Sequence, residues 1–399
     1  MAMTGQPHVL IVGGGPAGSS TATRLARAGI DVTVIDRAVF PREKACAEYC
    51  SPGVVDALDD LGALERIQSR EHVWLSSMQI VARGKSIQLE FGSHRPSGNR
   101  ALGIKRSVLD QELLHLAAES GARVLESTRA VRATLSGGVV SGVIARSGEH
   151  EFAIPADFTV VADGLHSTIA RSLDLHRPIR WPNRLGLVAR FTGMPETIQA
   201  GQMHIGDGIY CGLSPVTDRE ANVSLVVPMG SKPAGVSTGE FFDATIRTIP
   251  GIDHLLGNAR RISQVRGVGP LGKQARRSHG RGYLLVGDAA GFFDPLTGEG
   301  VHRALSGGKL AASAVQRALN RPDRRPTGYR GARKRMLKDK HRVCQIIQLL
   351  LQSRPALDYI ADRAAKRESV NQTLCGVLGD YIPARTALRP RFLWDLLRP

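Results

Sequence analysis

The sequence predicts an α/β protein in which a Rossmann-like domain carries an inserted, mostly antiparallel β-sheet and is followed by a helical C-terminal tail. Three observations predict this arrangement. A strand, a glycine turn, a helix and a second strand follow one another near the start of the chain. Alternating polar and apolar runs without βαβ spacing occur in two later segments. Beyond residue 325 the chain is basic, with short and strongly apolar stretches.

Length and composition limit the classes of protein that fit. The chain has 399 residues, of which 42% are hydrophobic, and this is enough for a compact core. The five cysteines are scattered and have no metal-ligand spacing, so we expect no metal site and a reducing, cytoplasmic location. The sequence also predicts no signal peptide and no membrane span.

The charge of the chain is strongly basic. It has 53 Lys and Arg against 36 Asp and Glu, a net charge of +17. The excess is concentrated in residues 258–281 and 321–342, which contain almost no aromatic residues and match no nucleic-acid-binding motif. We therefore expect no nucleic-acid partner and interpret these stretches mainly as solvated surface.

Residues 8–36 predict a βαβ unit that binds a dinucleotide. Its turn has glycines at positions 13, 15 and 18, the G-x-G-x-x-G spacing, and Asp36 closes the second strand. These glycines permit a tight turn, close approach of the backbone to a pyrophosphate, and close packing of helix on strand. Asp36 would accept hydrogen bonds from ribose hydroxyls and would repel a 2′-phosphate. The site therefore suits NAD or FAD better than NADP.

Three later blocks of the sequence help to distinguish NAD from FAD. Asp163 and Gly164 follow one apolar strand, and Gly287 and Asp288 follow another. In addition, an amphipathic helix starts after Arg106. With the fingerprint, these blocks resemble the flavoprotein group that contains p-hydroxybenzoate-hydroxylase-like aromatic hydroxylases, geranylgeranyl reductases and flavin-dependent halogenases. The resemblance covers residues 8 to about 310.

The stretch after the second predicted strand restricts the resemblance to one branch of this flavoprotein group. FPREKAC followed by a proline before a helix, with Arg42, Lys44, Cys46 and Pro52, is similar to the geranylgeranyl reductase and halogenase branch. The resemblance implies tightly bound FAD in a Rossmann-like domain of the GR2 type. Three segments would form this domain: 1–70, 101–180 and 263–325. The substrate-binding sheet would comprise 71–100 and 181–262, and the helical tail 326–399.

The resemblance also implies roles for particular residues. Asp288 would bind the ribityl hydroxyls, Arg106 would contact the phosphate or flavin region, and the helix after the PLTGEG turn would stabilise negative charge at the flavin N1/C2 carbonyl. The predicted cofactor-binding residues are Gly13, Gly15, Pro16, Ala17, Gly18, Asp36, Arg37, Arg106, Asp163, Gly164, Gly287, Asp288, Gly291, Pro295, Gly298, Glu299 and Gly300.

The catalytic candidates are fewer. Tyr49 and Tyr210 are candidates to hydrogen-bond a phenol, and Cys46 occupies the position of a cysteine in the reductases. Both halogenase tryptophans are missing around Tyr210, and Gly212 stands where a reductase often has tryptophan. Halogenation is therefore disfavoured.

The leading hypothesis is an NAD(P)H-dependent monooxygenase that hydroxylates a lipophilic or aromatic molecule of polyketide or phenolic-lipid type. It would use dioxygen through a flavin C4a-hydroperoxide. The alternative is a geranylgeranyl-reductase-like enzyme acting on isoprenoid double bonds, and the third is a non-catalytic basic binding protein. NAD(P)H would dock transiently, with the stretch Arg260 to Arg281 as its candidate landing site.

The tail beyond residue 325 allows two interpretations. A basic and then apolar helical tail either contacts an anionic membrane surface peripherally, on the inner face, or packs on the FAD-binding domain.

Overall fold

A computed structural model describes residues 7–82, 85–92, 99–179, 181–194 and 199–398. It confirms the predicted α/β fold with its inserted sheet and helical C-terminal region. Parts of the strand-rich segment 71–100, at 83–84 and 93–98, lie outside the described residues.

The strands lie between residues 8 and 292. In chain order they are β1 (His8–Val12), β2 (Asp31–Ile35), β3 (Tyr49–Cys50), β4 (Val73–Leu75), β5 (Ser77–Ala82), β6 (Lys85–Glu90), β7 (Ala101–Gly103), β8 (Arg123–Leu125), β9 (Arg129–Ser136), β10 (Val139–Ser147), β11 (His150–Pro155), β12 (Phe158–Val161), β13 (His176–Pro178), β14 (Arg184–Thr192), β15 (Ala200–Ile205), β16 (Tyr210–Pro215), β17 (Glu220–Pro228), β18 (Arg260–Arg261), β19 (Arg266–Leu271), β20 (Lys273–Ala275), β21 (His279–Gly280), β22 (Tyr283–Leu285) and β23 (Gly291–Phe292).

Helices alternate with the strands up to residue 256, and the part of the chain after residue 299 contains helices and no strand among its described residues. They are α1 (Pro16–Arg27), α2 (Pro52–Leu61), α3 (Leu64–Gln68), α4 (Arg106–Glu119), α5 (Thr168–Ser172), α6 (Thr238–Arg247), α7 (Ile252–Leu256), α8 (Gly300–Leu319), α9 (Tyr329–Leu350), α10 (Arg354–Lys366), α11 (Glu368–Leu378) and α12 (Pro390–Leu397). Among the described helices, none combines the length and apolar character needed to cross a bilayer.

The first sheet has six strands in the order β21-β22-β12-β1-β2-β8, and all of its neighbours except β21 and β22 are parallel. Strands β1, β12 and β22 are almost entirely buried because helices cover the sheet. Helices α1 and α8 pack together on one face, where a Cβ at Gly308 would lie 2.7 Å from Ser20 Oγ. The carboxyl ends of three adjacent parallel strands therefore lie at one edge of this sheet.

The inserted sheet has eight strands, in the order β18-β14-β17-β16-β15-β5-β6, with β19 also paired to β14. All of its pairs are antiparallel except β15 with β5. Helices α6 and α7 contribute Phe242, Ile246 and Ile252 to its core. Because β19 belongs to this sheet, the sheet continues to Leu271, beyond the boundary predicted at residue 262.

The C-terminal helices pack on the rest of the molecule. The Tyr329 hydroxyl of α9 donates to the Leu285 carbonyl at 2.6 Å, and Arg333 donates to the Ala290 carbonyl at 2.8 Å. Helices α10, α11 and α12 share a hydrophobic cluster with β3, β4 and β6. Of the two interpretations of the tail, packing on the FAD-binding domain is observed directly.

Candidate functional site

Three glycine-acid turns meet at the carboxyl edge of the six-stranded sheet. The fingerprint turn follows β1, the Asp163 and Gly164 turn follows β12, and the Gly287 and Asp288 turn follows β22. The three strands are neighbours and parallel, so their ends lie side by side. In the sequence these turns lie far apart, and the sheet brings them together at the position where doubly wound folds bind nucleotides.

The fingerprint glycines leave room for a ligand and for close packing. A Cβ at Gly18 would lie 1.8 Å from the Gly13 carbonyl oxygen, and one at Gly13 would lie 2.5 Å from the Ala162 carbonyl oxygen. At Gly15 the nearest atom is instead an Arg42 guanidinium nitrogen at 3.3 Å. The turn is thus closed towards the protein and lined by a cation on its open side, as a pyrophosphate requires.

Helix α1 begins at this turn. Pro16 occupies its first turn and the N-cap residue Gly15 makes no side-chain cap hydrogen bond. The first backbone N–H groups of α1 are therefore available to a bound anion. Ala17, next in the chain, is buried, and a Cβ at Gly287 would lie 2.9 Å from the Ala17 Cβ.

Asp36 holds the fingerprint turn in place. Its carboxylate accepts hydrogen bonds from the Gly14 N–H at 2.8 Å and from the Ala38 N–H at 2.9 Å. Because both bonds use backbone donors, the carboxylate is fixed at the end of β2. Arg37, the next residue, is exposed.

A cluster of charged side chains lies beside the turns. Buried Arg106 makes two hydrogen bonds to Asp110, at 2.8 and 2.7 Å, and Arg42 lies 3.1 Å from the same carboxylate. Burial and the nearby Arg106 lower the pKa of Lys44, while Asp288 opposes this effect. Asp110 therefore positions two arginines beside the open side of the turn.

The second turn has a structural role of its own. Asp163 accepts a hydrogen bond from the Thr168 N–H at 2.8 Å and so supports the start of α5. Its other oxygen, Oδ1, is buried without a partner in the described chain, and burial raises the pKa of this carboxyl. Gly164 has a φ of 81°, and a Cβ there would lie 3.8 Å from the Lys44 ammonium nitrogen.

The loop before α8 is the third part of the predicted flavin contact. Gly298 has a φ of 64° and donates to the Pro295 carbonyl at 2.9 Å, and a Cβ at Gly300 would meet no described atom within 4 Å. Glu299 precedes α8, is buried near Arg303, and burial raises the pKa of its carboxyl. The start of α8 is thus open on the side of the loop.

Gly291 lies behind this loop. Its φ is 134°, and its carbonyl accepts a hydrogen bond from Arg303 at 2.7 Å. Since Arg303 is on α8, this bond ties the helix to the turn that follows β22.

The two candidate tyrosines have different surroundings. Tyr210 is buried and donates to Asp294 at 2.6 Å. The Tyr49 ring lies against Gly298, and its buried hydroxyl has no partner among the described residues. Burial and the nearby Asp380 raise the pKa of Tyr49. Tyr210 therefore donates its hydroxyl proton within the protein, whereas no described residue bonds to the Tyr49 hydroxyl.

Cys46 is partly buried, unlike the other four cysteines. Its sulfur accepts the Glu48 N–H at 3.5 Å. It thus lies between the charged cluster and a cleft that sequence reasoning did not predict.

This cleft, of about 80 Å³, lies between the FAD-binding domain and the inserted sheet. Lys44 and Glu48 line one side, and Arg190 and Asn222 of β14 and β17 line the other. Glu48 is the residue that the sequence analysis missed, although an acid within the otherwise uncharged ACAEYC is a visible signal. Burial raises its pKa, and Arg106, Arg190 and Asn222 oppose the shift.

These observations fit FAD. The closed glycine packing and Arg42 suit the pyrophosphate, Asp36 and Asp288 lie at strand ends where sugar and ribityl hydroxyls are bound in such folds, and the open start of α8 suits the flavin carbonyl. When bound, the flavin would supply hydride and electron transfer chemistry. The protein supplies binding, orientation and the cleft beside it.

Comparison with known proteins identifies the family. The FAD binding domain family matches residues 6–336 of the chain. The chain therefore belongs to this family and is an FAD-dependent oxidoreductase. This result rules against the third hypothesis, a non-catalytic binding protein.

Two curated relatives are named as reductases. Menaquinone reductase of Mycolicibacterium smegmatis is 28% identical over 329 residues, which is 78% of this chain and 77% of that protein. Digeranylgeranylglycerophospholipid reductase of Methanocella arvoryzae is 26% identical over 333 residues, which is 80% of this chain and 80% of that protein.

Two solved structures share the fold. The flavin-dependent halogenase CmlS has a TM-score of 0.76 at 26% identity, over 85% of this chain and 64% of that one. A geranylgeranyl bacteriochlorophyll reductase-like protein from Thermoplasma acidophilum has a TM-score of 0.79 at 21% identity, over 96% of this chain and 99% of that one. The predicted branch of geranylgeranyl reductases and halogenases is confirmed.

Proposed function

We propose that the protein reduces a carbon–carbon double bond in a lipophilic, isoprenoid substrate, with FAD as redox cofactor and NAD(P)H as the transient source of hydride. This is the alternative of the sequence analysis, and the relatives favour it. Menaquinone and digeranylgeranylglycerophospholipid, the compounds named for the two reductases, both carry polyprenyl chains. The likeness extends over most of this chain and therefore includes the inserted sheet.

The cleft between the FAD-binding domain and the inserted sheet is the observation that carries the proposal. Val188 and Ala189 give it an apolar wall, and Lys44 places it beside the turns that grip the cofactor. An acid in such a position serves reduction, because a hydride added to one carbon requires a proton at the other. In the resting protein Glu48 accepts three hydrogen bonds as a carboxylate. Because burial raises its pKa, it takes up the required proton more readily than an exposed glutamate would and can pass it on during the reaction.

The reductant would reach the site from solvent. Arg266, one of the basic residues between Arg260 and Arg281, lines the same cleft, whereas Arg261 pairs with Asp243 on the outer surface. A phosphorylated nicotinamide is attracted to such a cationic rim. NAD(P)H docking beside Arg266 is part of the proposal.

Hydroxylation by a monooxygenase is the second candidate. Gly212 supports it, because the position that carries tryptophan in many reductases has no side chain here. The two reactions make opposite demands on dioxygen: a monooxygenase consumes it, and a reductase works without it.

One experiment separates the two candidates. The holoprotein is incubated with NADPH or NADH and either menaquinone or a geranylgeranyl lipid, with and without dioxygen, and product masses are measured. We expect a gain of two hydrogen atoms in anaerobic samples. A product that gains one oxygen atom, formed only in air, would refute reduction and support the monooxygenase.

We also propose that an anionic membrane surface receives the outer face of α12. Trp394 is 67% exposed and Leu397 is 59% exposed, and Tyr359 of α10 lies beside them, its hydroxyl donating to the Leu397 carbonyl at 2.7 Å. Exposed Arg391 and Arg398 flank this group, which we call the α12 patch. Aromatic and aliphatic side chains surrounded by arginines match the chemistry of an anionic bilayer interface, where a lipid substrate would be found.

A further inference from the structure

Glu48 has a backbone conformation that requires support. Its φ is 57°, in the left-handed region that residues with a side chain rarely adopt, and only 2% of its surface is exposed. A strained and buried carboxylate persists only where the surrounding structure holds it firmly. The contacts of Glu48 therefore indicate what this arrangement maintains.

Three donors hold the Glu48 carboxylate. Oε1 accepts the Arg106 N–H at 2.8 Å, and Oε2 accepts Asn222 Nδ2 at 3.0 Å and Arg190 Nε at 3.3 Å. The bond from Asn222 fixes the orientation of its amide, because only the NH₂ group can donate to a carboxylate. The amide oxygen, Oδ1, must therefore point away from Glu48.

Asn222 Oδ1 has no hydrogen-bond donor among the described residues, although Asn222 is only 3% exposed. A buried carbonyl oxygen without a donor is unusual, since an unmade hydrogen bond costs about 1–3 kcal/mol. Asn222 lines the cleft between the FAD-binding domain and the inserted sheet. A group bound in the cleft is therefore positioned to supply the missing donor.

The charges of the cleft indicate what kind of donor fits. Its ionisable residues are Glu43, Lys44, Glu48, Arg190 and Arg266. Arg190 is neutralised by ion pairs with both Glu43 and Glu48. Arg190, which shares a Glu48 oxygen with Asn222, therefore offers no free charge to a phosphate or carboxylate bound at Asn222. The cations of the cleft that remain for the phosphates of the reductant are Lys44 and Arg266.

We propose that Asn222 Oδ1 accepts a hydrogen bond from a hydroxyl group of the substrate, so that the cleft selects an alcohol or phenol over its ether or its phosphate. Glu48 is the positioning residue that holds the amide in this orientation. The inference rests on the proposed function only in placing the substrate in this cleft.

Equilibrium binding to the oxidised holoprotein tests the inference without turnover. The probes are geranylgeraniol, its methyl ether and geranylgeranyl phosphate, with dissociation constants from equilibrium dialysis. We expect the alcohol to bind about tenfold more tightly than the ether, which lacks the donor. Equal affinity for alcohol and ether, tighter binding of the phosphate, or no binding of the alcohol would each overturn the inference.

A variant assigns the preference to Asn222. Asn222→Ala should reduce the preference for alcohol over ether to about twofold or less. The matched control is Ser224→Ala on the same strand, which removes a hydrogen bond to the Gly212 carbonyl and should keep the full preference. A folded Asn222→Ala protein that still prefers the alcohol tenfold would refute the assignment. If that variant does not fold, the comparison of the three probes on the wild-type protein still tests the inference.

The binding result is independent of the proposed reaction. A protein that prefers the alcohol but adds no hydrogen to any isoprenoid lipid would retain the hydroxyl site and lose the reductase proposal. Reduction of an isoprenoid lipid without any preference for the alcohol would support the reductase proposal and refute the hydroxyl site.

Discussion

Gly18 tolerates no side chain, because a Cβ there would overlap the Gly13 carbonyl oxygen at 1.8 Å. The clash is with backbone, so α1 would have to move away from the turn. We expect Gly18→Ala to weaken FAD binding at least tenfold and to lower the free energy of unfolding by about 3 kcal/mol. Flavin fluorescence titration and urea unfolding measure the two effects.

The control for this prediction is Gly331→Ala in α9. A Cβ at Gly331 would meet only the flexible Arg335 side chain, at 3.5 Å. This change should leave FAD affinity unaltered and stabilise the protein by up to about 1 kcal/mol. Wild-type FAD affinity in Gly18→Ala would mean that the fingerprint turn does not hold the pyrophosphate.

For single residues, the sequence predicted the roles that depend on local spacing. The fingerprint glycines and Asp36 belong to one βαβ unit, and their roles follow from the turn itself. Asp110, four residues after Arg106 on α4, was also accessible as an i,i+4 pair. The role of Asn222 could not be predicted, because its partner Glu48 lies 174 positions away and only the folded sheet brings the two together.

Helix α9 is joined to the segment after α11 by a buried ion pair. Lys340 donates to Asp380 at 2.6 Å and to the Val377 carbonyl at 2.6 Å, and Ser51 donates to the other oxygen of Asp380 at 2.7 Å. Burial opposes ionisation of Asp380, but Lys340 and His302 outweigh it and lower the pKa of this carboxyl. The pair fixes the C-terminal helices to the start of α2.

We expect Lys340→Met to destabilise the protein by about 3 kcal/mol at neutral pH, because the Asp380 carboxylate stays buried without its cation. A lowered carboxyl pKa contributes stability above the unfolded-state value, near 3.8, and this contribution is lost as the pH falls below it. The difference between wild type and variant should therefore shrink in acid. Urea unfolding at several pH values measures it.

An exposed pair is the matched control. Lys366 lies 3.0 Å from Asp362 on α10, and Lys366→Met should cost less than about 0.5 kcal/mol. Equal losses in the two variants at neutral pH would contradict a special role for the buried pair.

Secondary-structure elements were predicted well where their hydrophobic pattern is periodic. They were predicted less well where strand pairing determines which sheet a strand joins. The apolar strands that end in glycine-acid turns are all present, since a buried parallel strand has a clear apolar signature. Strand β19 was assigned to the FAD-binding domain instead, because its glycines and its proline hide any alternation. Its pairing with β14, which no local pattern shows, places it in the inserted sheet.

The α12 patch gives a prediction for the whole molecule. We expect the wild-type protein to sediment with vesicles of phosphatidylglycerol and phosphatidylcholine and not with phosphatidylcholine alone. Binding should weaken with added salt, because the arginines around the patch are screened. Replacing both Trp394 and Leu397 by glutamate should weaken binding at least tenfold, since each side chain buried in lipid contributes about 1.5–3 kcal/mol.

The control replaces two exposed apolar residues of the β9–β11 sheet, Leu135 and Phe152, by glutamate. This change alters net charge equally and should preserve much more of the binding. If both double variants lose binding equally, net charge and not the α12 patch attracts the protein to the membrane.

The order of the central sheet also determines when the cofactor site can form during synthesis. Strand β1 pairs with β12, and β12 pairs with β22, so the middle of the sheet waits for Tyr283–Leu285. A nascent chain that has just left the ribosome with its complete glycine fingerprint still lacks Asp288 and the start of α8. Flavin capture must therefore come late, after the inserted sheet has been translated, and a chain that stalls before β22 exposes an unfinished sheet edge to chaperones and proteases.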